Sequence, residues 1–299
     1  MLVVLTALTL LVFWLIQPEN SPAVAPDIFR VDDLSAITSV ELAEDSASVS
    51  LVFDGNKWRV NNNYPADGNM IRVLFATLQQ AQPKRAVARA HQDSIFNRLR
   101  NAGVKVSLFE GHELKKEFYA GGNATRTQAY FADAETQQVY VMTIPGYRVY
   151  VSGILELDEN GWRDKYVFGF NWENFKTLEA IFPQRNSENF TVSMSRDFFG
   201  IEGLPESDTT RLNNFLDDVS LITVEEYLTE PELSDSIRHV EPKVEIQVTD
   251  VGNRTYRLRL FDFGPRQEVY GLIQDTQLAL FSRRKYASLL KPKSFFRKK

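Results

Sequence analysis

The chain has 299 residues, a formal net charge of −5, and 43% hydrophobic against 24% charged residues, a balance that buries a core. It has no cysteine, which excludes disulfides, thiolate metal sites, cysteine nucleophiles and a lipidated cysteine. The acidic balance argues against a nucleic-acid partner, which calls for a basic face.

The first predicted element is apolar. Met1 to Gln17, "MLVVLTALTLLVFWLIQ", carries no charged side chain, and a membrane-spanning helix needs roughly 20 apolar residues. Trp14 suits an interfacial anchor. The basic flank of a signal peptide is missing. Pro26 also follows Ala23-Val24-Ala25, where a cut would fall. Residues 1–17 are therefore expected to be an uncleaved transmembrane anchor, with a removed signal as the alternative. Residues 18–27 are rich in Pro, Ser, Asn and Ala and read as a tether. The body is then expected on the periplasmic side of the inner membrane.

Next comes Leu34-x-x-Ile37-x-x-Val40, followed by a strand at Val49–Phe53. Pro65 is expected to open an amphipathic helix with Ile71, Leu74, Phe75 and Leu78 on one face. Proline in a first turn loses no hydrogen bond, and Asp67 suits the positive helix end. A short helix is predicted around Ile95. Val104–Gly111 alternates apolar and polar residues, as a half-buried strand running into a hairpin does. Thr125–Tyr130, "VYVMT" and Tyr147 follow.

The same series then recurs with a period of about 140 residues, the kind of self-similarity that decides a fold. Phe175-x-x-Leu178-x-x-Ile181 matches the first motif, and Phe190–Met194 the strand. Pro205 with Asp208 matches the helix start. Leu212, Phe215, Leu216 and Val219 match the apolar face. Ile237 matches Ile95, Val244–Gly252 the alternating strand, Pro265–Tyr270 matches Thr125–Tyr130, "LALFS" matches "VYVMT", and Tyr286 matches Tyr147. The predicted fold is α+β: an N-terminal transmembrane helix, then two tandem α+β repeats, each an antiparallel meander with one main amphipathic helix. The repeats are assigned to residues 28–160 and 161–290. Residues 291–299, "PKSFFRKK" after Lys291, form a basic tail expected to be frayed and solvated.

These spaced motifs resemble a known family. "IFRVDDLSAITSVELAED", "KWRVNNNYPADGNMIRVLFATL", "VKVSLFEG", "IPGY" and "GWRDKYVFGFNW" are similar to the DUF4340 domain family of bacterial envelope proteins, in the form found in Bacteroidota. The resemblance covers nearly the whole chain after the tether. It implies one membrane helix, an extracytoplasmic body and no established activity. Some members are similar to, or encoded beside, auxiliary subunits of ABC transporters associated with gliding motility. That implies an integral membrane complex as partner. Arg148 and Val149 stand where a glycine after the tyrosine is more usual.

Chemistry is sparse. His91, His112 and His239 lack zinc-ligand spacing. Asp32-Asp33, Asp217-Asp218 and Glu225-Glu226 are chain neighbours, not the separated pair a glycosidase uses. Gly121–Thr125 lacks the lysine of a phosphate loop, and Asp158–Trp162 lacks the last glutamate of a calcium loop. No catalytic, cofactor or metal residue is assigned. Aromatic residues make up 12% of the chain and can anchor an interface. Trp162 is expected to plug the junction between the repeats, with Arg163 and Asp164 pairing there. Trp58, Tyr147 and Trp172 are further interface candidates. Asp45-Ser46, Asp93-Ser94, Asp208-Thr209 and Asp235-Ser236 resemble an O-glycosylation motif, although Asp-Ser/Thr also starts helices and three of the four fall at expected starts.

The expected function is a non-enzymatic, membrane-anchored binding or scaffold protein, an accessory subunit of an envelope membrane complex. The alternative is a small-molecule or glycan-binding module using the cleft between the repeats. A third is an enzyme of envelope glycans or peptides, which needs carboxylates or a histidine gathered in a pocket by the fold.

Overall fold

The computed structural model describes residues 25–45, 47–171, 173–195, 198–229, 231–262 and 269–298. The expected anchor at 1–17, most of the tether, Ser46, Trp172 and residues 263–268 lie outside the described residues. Among the described residues no helix is long and apolar enough to cross a membrane. The chain divides into two units, with the boundary between Asp164 and Lys165.

The first unit forms strands β1 (Ser39–Ala43), β2 (Ser48–Phe53), β3 (Trp58–Val60), β4 (Tyr64–Pro65), β5 (Gln82–Ala86), β6 (Val104–Glu110), β7 (Glu113–Gly122), β8 (Ala129–Asp133) and β9 (Val139–Thr143). They build one sheet in the order β4-β3-β2-β1-β6-β7-β8-β9-β5. Alternation decides which residues face which way, because successive strand side chains point to opposite faces. Val40, Leu51, Val106 and Phe131 share one face with Ile71, Leu74 and Leu78 of helix α1 (Gly68–Gln80). Tyr130, Ala132, Val139 and Val141 line the other, against Phe96 and Leu99 of helix α2 (Arg89–Ala102). A short helix, α3 (Glu159–Trp162), lies near the end of the unit.

The second unit forms β10 (Phe175–Ile181), β11 (Phe190–Ser195), β12 (Phe198–Ile201), β13 (Glu226–Leu228), β14 (Val244–Asp250), β15 (Thr255–Phe261), β16 (Val269–Ile273) and β17 (Gln277–Phe281). Their order is β12-β11-β10-β14-β15-β16-β17-β13, the first sheet strand for strand apart from β4. Helix α4 (Thr209–Ser220) buries Leu212, Phe215, Leu216 and Val219 in the larger core. Helix α5 (Pro231–Arg238) covers the other face through Ile237, with Phe261, Leu272 and Leu278. Helix α6 (Arg283–Leu289) follows the last strand. The fold is thus mixed α+β, with two antiparallel sheets that agree with two repeats.

The structure corrects several details. Pro65 and Pro205 do not open the helices: Pro65 lies in β4 and Pro205 in a turn. The caps are Asp67 and Asp208. Asp67 accepts the Asn69 N–H at 2.7 Å, and Asp208 accepts the Arg211 N–H at 3.1 Å, satisfying donors that a helix start leaves open. The first motif is also displaced. Val40 pairs with Leu51 and Leu108, and Leu178 with Val192 and Val248, so the counterpart of Val40 is Leu178 rather than Ile181. The helix around Ile95 has 14 residues, because Phe96 and Leu99 give it a buried stripe of its own. Asp93 and Asp235 lie inside α2 and α5, not at their starts.

The basic tail is not frayed where it is described. Lys293–Phe296 forms a 3₁₀ turn, and Phe296 is fully buried, its ring 5.1 Å from Phe190 and 5.4 Å from Phe215. The apolar ring outweighs the surrounding charges, which stay at the surface.

Candidate binding site

Helix α1 carries a second apolar strip beside its core stripe. Met70, Val73 and Ala76 recur at three-residue spacing, which keeps them on one side of the helix. Their counterparts on α4, read from the aligned caps and core positions, are Arg211, Asn214 and Asp217. Val73 is 45% exposed. Met70 packs partly against the core while Val73 and Ala76 face outward, and the second repeat does without the strip.

The segment after β9 rises opposite this strip. Ile144-Pro145-Gly146-Tyr147 forms a turn closed by the Tyr147 N–H on the Ile144 carbonyl at 3.1 Å, with Gly146 at φ +82. Proline then glycine is the type II signature, since only the third position needs positive φ. The turn holds Tyr147 outward, 65% exposed, beside Val149 at 54%. Val151 and Leu155 then sink into the core, and the Ser152 hydroxyl donates to the Gly121 carbonyl at 2.8 Å. Between strip and segment lies an apolar groove of about 510 Å³, lined by Met70, Val73, Tyr147, Val149, Ile154 and Leu157 among others. None of its described lining residues is an acid, a lysine, an arginine or a histidine.

A second groove, of about 820 Å³, runs along the other side of α1 past Trp58, Phe53 and Phe75, with Asp33 and Arg72 on its wall. The Trp58 ring lies 5.8 Å from Phe53 and 5.3 Å from Phe75. A polar pocket of about 500 Å³ is lined by Arg98, Arg126, Tyr150 and Glu156 and by the Gly121–Asn123 stretch. There the Tyr150 hydroxyl donates to Glu156, whose other oxygen lies 3.4 Å from Arg126. Burial, and then the Glu156 carboxylate, push the Tyr150 phenol well above its ordinary range. It stays protonated, and its proton is already committed to Glu156.

The sequence-predicted residues that are described fall in distinct places. Trp58 and Tyr147 line the two grooves flanking α1. Trp162, expected at the junction, is fully buried in the first unit's own core, and its carbonyl accepts the Asp67 N–H at 2.8 Å. Arg163 pairs with Ala66 as an isolated bridge, and its guanidinium lies 3.6 Å from the Tyr64 ring centre and 3.8 Å from Glu159. The Asp164 N–H donates to the Pro65 carbonyl at 2.9 Å. These residues tie the first unit to itself. Trp172 lies outside the described residues. His91, His112 and His239 are exposed, and among the described residues no group of three or more histidines and acids is placed to hold a metal ion. Met70, Val73 and Val149 were not among the residues expected from the sequence. The signal was present: apolar residues off the core stripe, in one copy of the helix and not the other.

Fold and surface together define a tandem-repeat α+β protein with an open apolar groove on its first repeat. The family model for a domain of unknown function, DUF4340, matches residues 58–237, more than half of the chain, and the chain belongs to that family. The match begins in β3 and ends in α5, so it draws on both units. No curated protein and no solved structure matches the chain.

Proposed function

We propose that this chain is a non-enzymatic binding subunit of a membrane complex in the cell envelope. Residues 1–17 would anchor it in the inner membrane, and the body would stand on the periplasmic side. The partner would be an integral membrane assembly, of the ABC-transporter type that the family resemblance suggests. The observation that carries the proposal is the groove on the first repeat. Exposed Val73, Tyr147 and Val149 converge there without a charged neighbour on its wall, and contiguous exposed apolar surface marks interaction sites.

The test is mild extraction of the tagged full-length protein from its native membrane, followed by mass spectrometry of what co-purifies. A stoichiometric set of membrane subunits is the expected result. A chain that emerges alone, with an intact mass showing cleavage near Ala25, would overturn the proposal.

A further inference from the structure

The two repeats close in the same way, and the ring present in one and absent from the other points to what the groove takes. Phe296 stands in the second repeat where Trp162 stands in the first, because each is fully buried and gives its carbonyl to the capping aspartate's N–H. The residues that follow, Arg163 and Arg297, bridge Ala66 and Ser207 in the same manner. Counting back from these aromatics, Gly161 corresponds to Phe295 and Leu157 to Lys291. On the main helices Met70 corresponds to Arg211. In the second repeat the Phe295 ring is met by Arg211 at 5.0 Å and by Lys291 at 5.2 Å. In the first repeat the ring is missing, since Gly161 has no side chain. Met70 and Leu157, the counterparts of the two cations, both line the 510 Å³ groove.

We propose that this groove receives an aromatic side chain from an uncharged segment of a partner protein, seated between Met70 and Leu157 where the second repeat seats its own Phe295. The proposal rests on the binding function proposed above and names the chemistry of the partner. A thioether and an isobutyl group replace two cations around the ring, so the contact changes from cation–π to sulfur–aromatic and dispersion contact. The segment is uncharged because the wall offers a buried charge no counterion, and an unpaired charge is costly to bury. Thr77, Gln80 and Tyr147 supply hydrogen-bonding groups for its backbone.

The test uses the full chain in phosphatidylcholine nanodiscs. The probe is a capped peptide, acetyl-Gly-Ser-X-Ser-Gly-amide with X para-fluorophenylalanine, followed by fluorine NMR. Saturable binding to the native chain is expected. Val73→Lys, which puts a charge on the groove wall, and Gly161→Phe, which adds a ring directly against Leu157, are each expected to weaken it by about tenfold or more. Asn214→Lys, the equivalent change on α4, is expected to leave it unaltered. Val73 is exposed, so its variant reports on the groove even where Gly161→Phe disturbs the fold. Absence of saturable binding, or equal binding to Val73→Lys, would overturn the proposal. So would self-association of the native chain relieved by Val73→Lys, which makes a second copy the occupant, and so would nitroxide-lipid quenching of a fluorophore at Val73→Cys, which makes it the bilayer. Membrane subunits that still co-purify while the peptide fails would sink this inference alone and leave the proposed function standing.

Discussion

Trp162 and Phe296 close the two repeats in the same manner. Both are fully buried. The Trp162 carbonyl accepts the Asp67 N–H at 2.8 Å, and the Phe296 carbonyl accepts the Asp208 N–H at 2.7 Å. One aromatic residue therefore does two things in each repeat: it fills the core beneath the main helix and fixes the residue that caps that helix. Trp162→Ala and Phe296→Ala should each destabilise their own repeat by about 3–5 kcal/mol. Denaturant unfolding followed by a probe in each repeat measures this. Truncation after Leu290 should cost at least as much as Phe296→Ala, because it also removes the carbonyl that accepts the Asp208 N–H, and a truncated chain of unchanged stability would contradict the assignment of the tail to the core.

The caps can be tested separately. Asp67→Ala and Asp208→Ala each remove a side-chain acceptor from a helix start. Each should cost about 1 kcal/mol, read as a drop in denaturation midpoint with an unchanged slope. Pro65→Ala and Pro205→Ala should cost less than the caps, because neither proline lies in a helix.

Acid should loosen the tail. Glu188 accepts the Ser294 N–H at 2.8 Å, and that bond holds its carboxyl below the usual carboxylate range. A depressed folded pKa adds stability that is complete above the unfolded value, near 4.3, and is lost as pH falls through the folded value. Proteolytic clipping after Leu290 should therefore rise below about pH 4. Glu188→Gln should remove this part of the pH dependence.

Two glycines give opposite outcomes. A Cβ at Gly122 would lie 2.2 Å from the Tyr150 hydroxyl, whereas one at Gly68 meets nothing within 4 Å. Gly122→Ala should cost about 1–3 kcal/mol and displace Tyr150 from Glu156, lowering the tyrosine's titration midpoint. Gly68→Ala, at the start of α1, should stabilise by about 0.4–1 kcal/mol. Thermal melts and ultraviolet titration separate the two.

Much of the fold was legible because hydrophobic period and turn chemistry are local. Ile71, Leu74 and Leu78 announced one helix face, and Leu212, Phe215, Leu216 and Val219 announced its repeat. Alternation at Val104–Glu110 and Val244–Asp250 announced the paired strands. The closing segments were not legible for a physical reason. Trp162 and Phe296 differ in identity, and the spacing between them is shorter than that between the two caps, so no aligned motif joins them. What joins them is three-dimensional: full burial, the shared hydrogen bond to the capping aspartate, and the matching bridges of the arginines that follow. The basic charges around Phe296 also masked its burial, because charge pattern describes a surface while one ring fills a core. The grooves were partly legible: Trp58 and Tyr147 stood out as aromatics, but Val73 is unremarkable until α4 is laid beside α1.

That comparison between α1 and α4 supplies the decisive measurement. Met70→Arg, Val73→Asn and Ala76→Asp together give α1 the residues of α4. Val73 and Ala76 are exposed, and such substitutions change stability by roughly 0.5 kcal/mol or less each; Met70 is half-buried against the core, and arginine keeps a long aliphatic stem over it, so the variant should fold. Native and variant chains would be extracted side by side from native membranes and their co-purifying subunits quantified. The variant is expected to stay folded and to lose the membrane subunits the native chain retains. A folded variant that retains them in full would sink the groove as the binding surface.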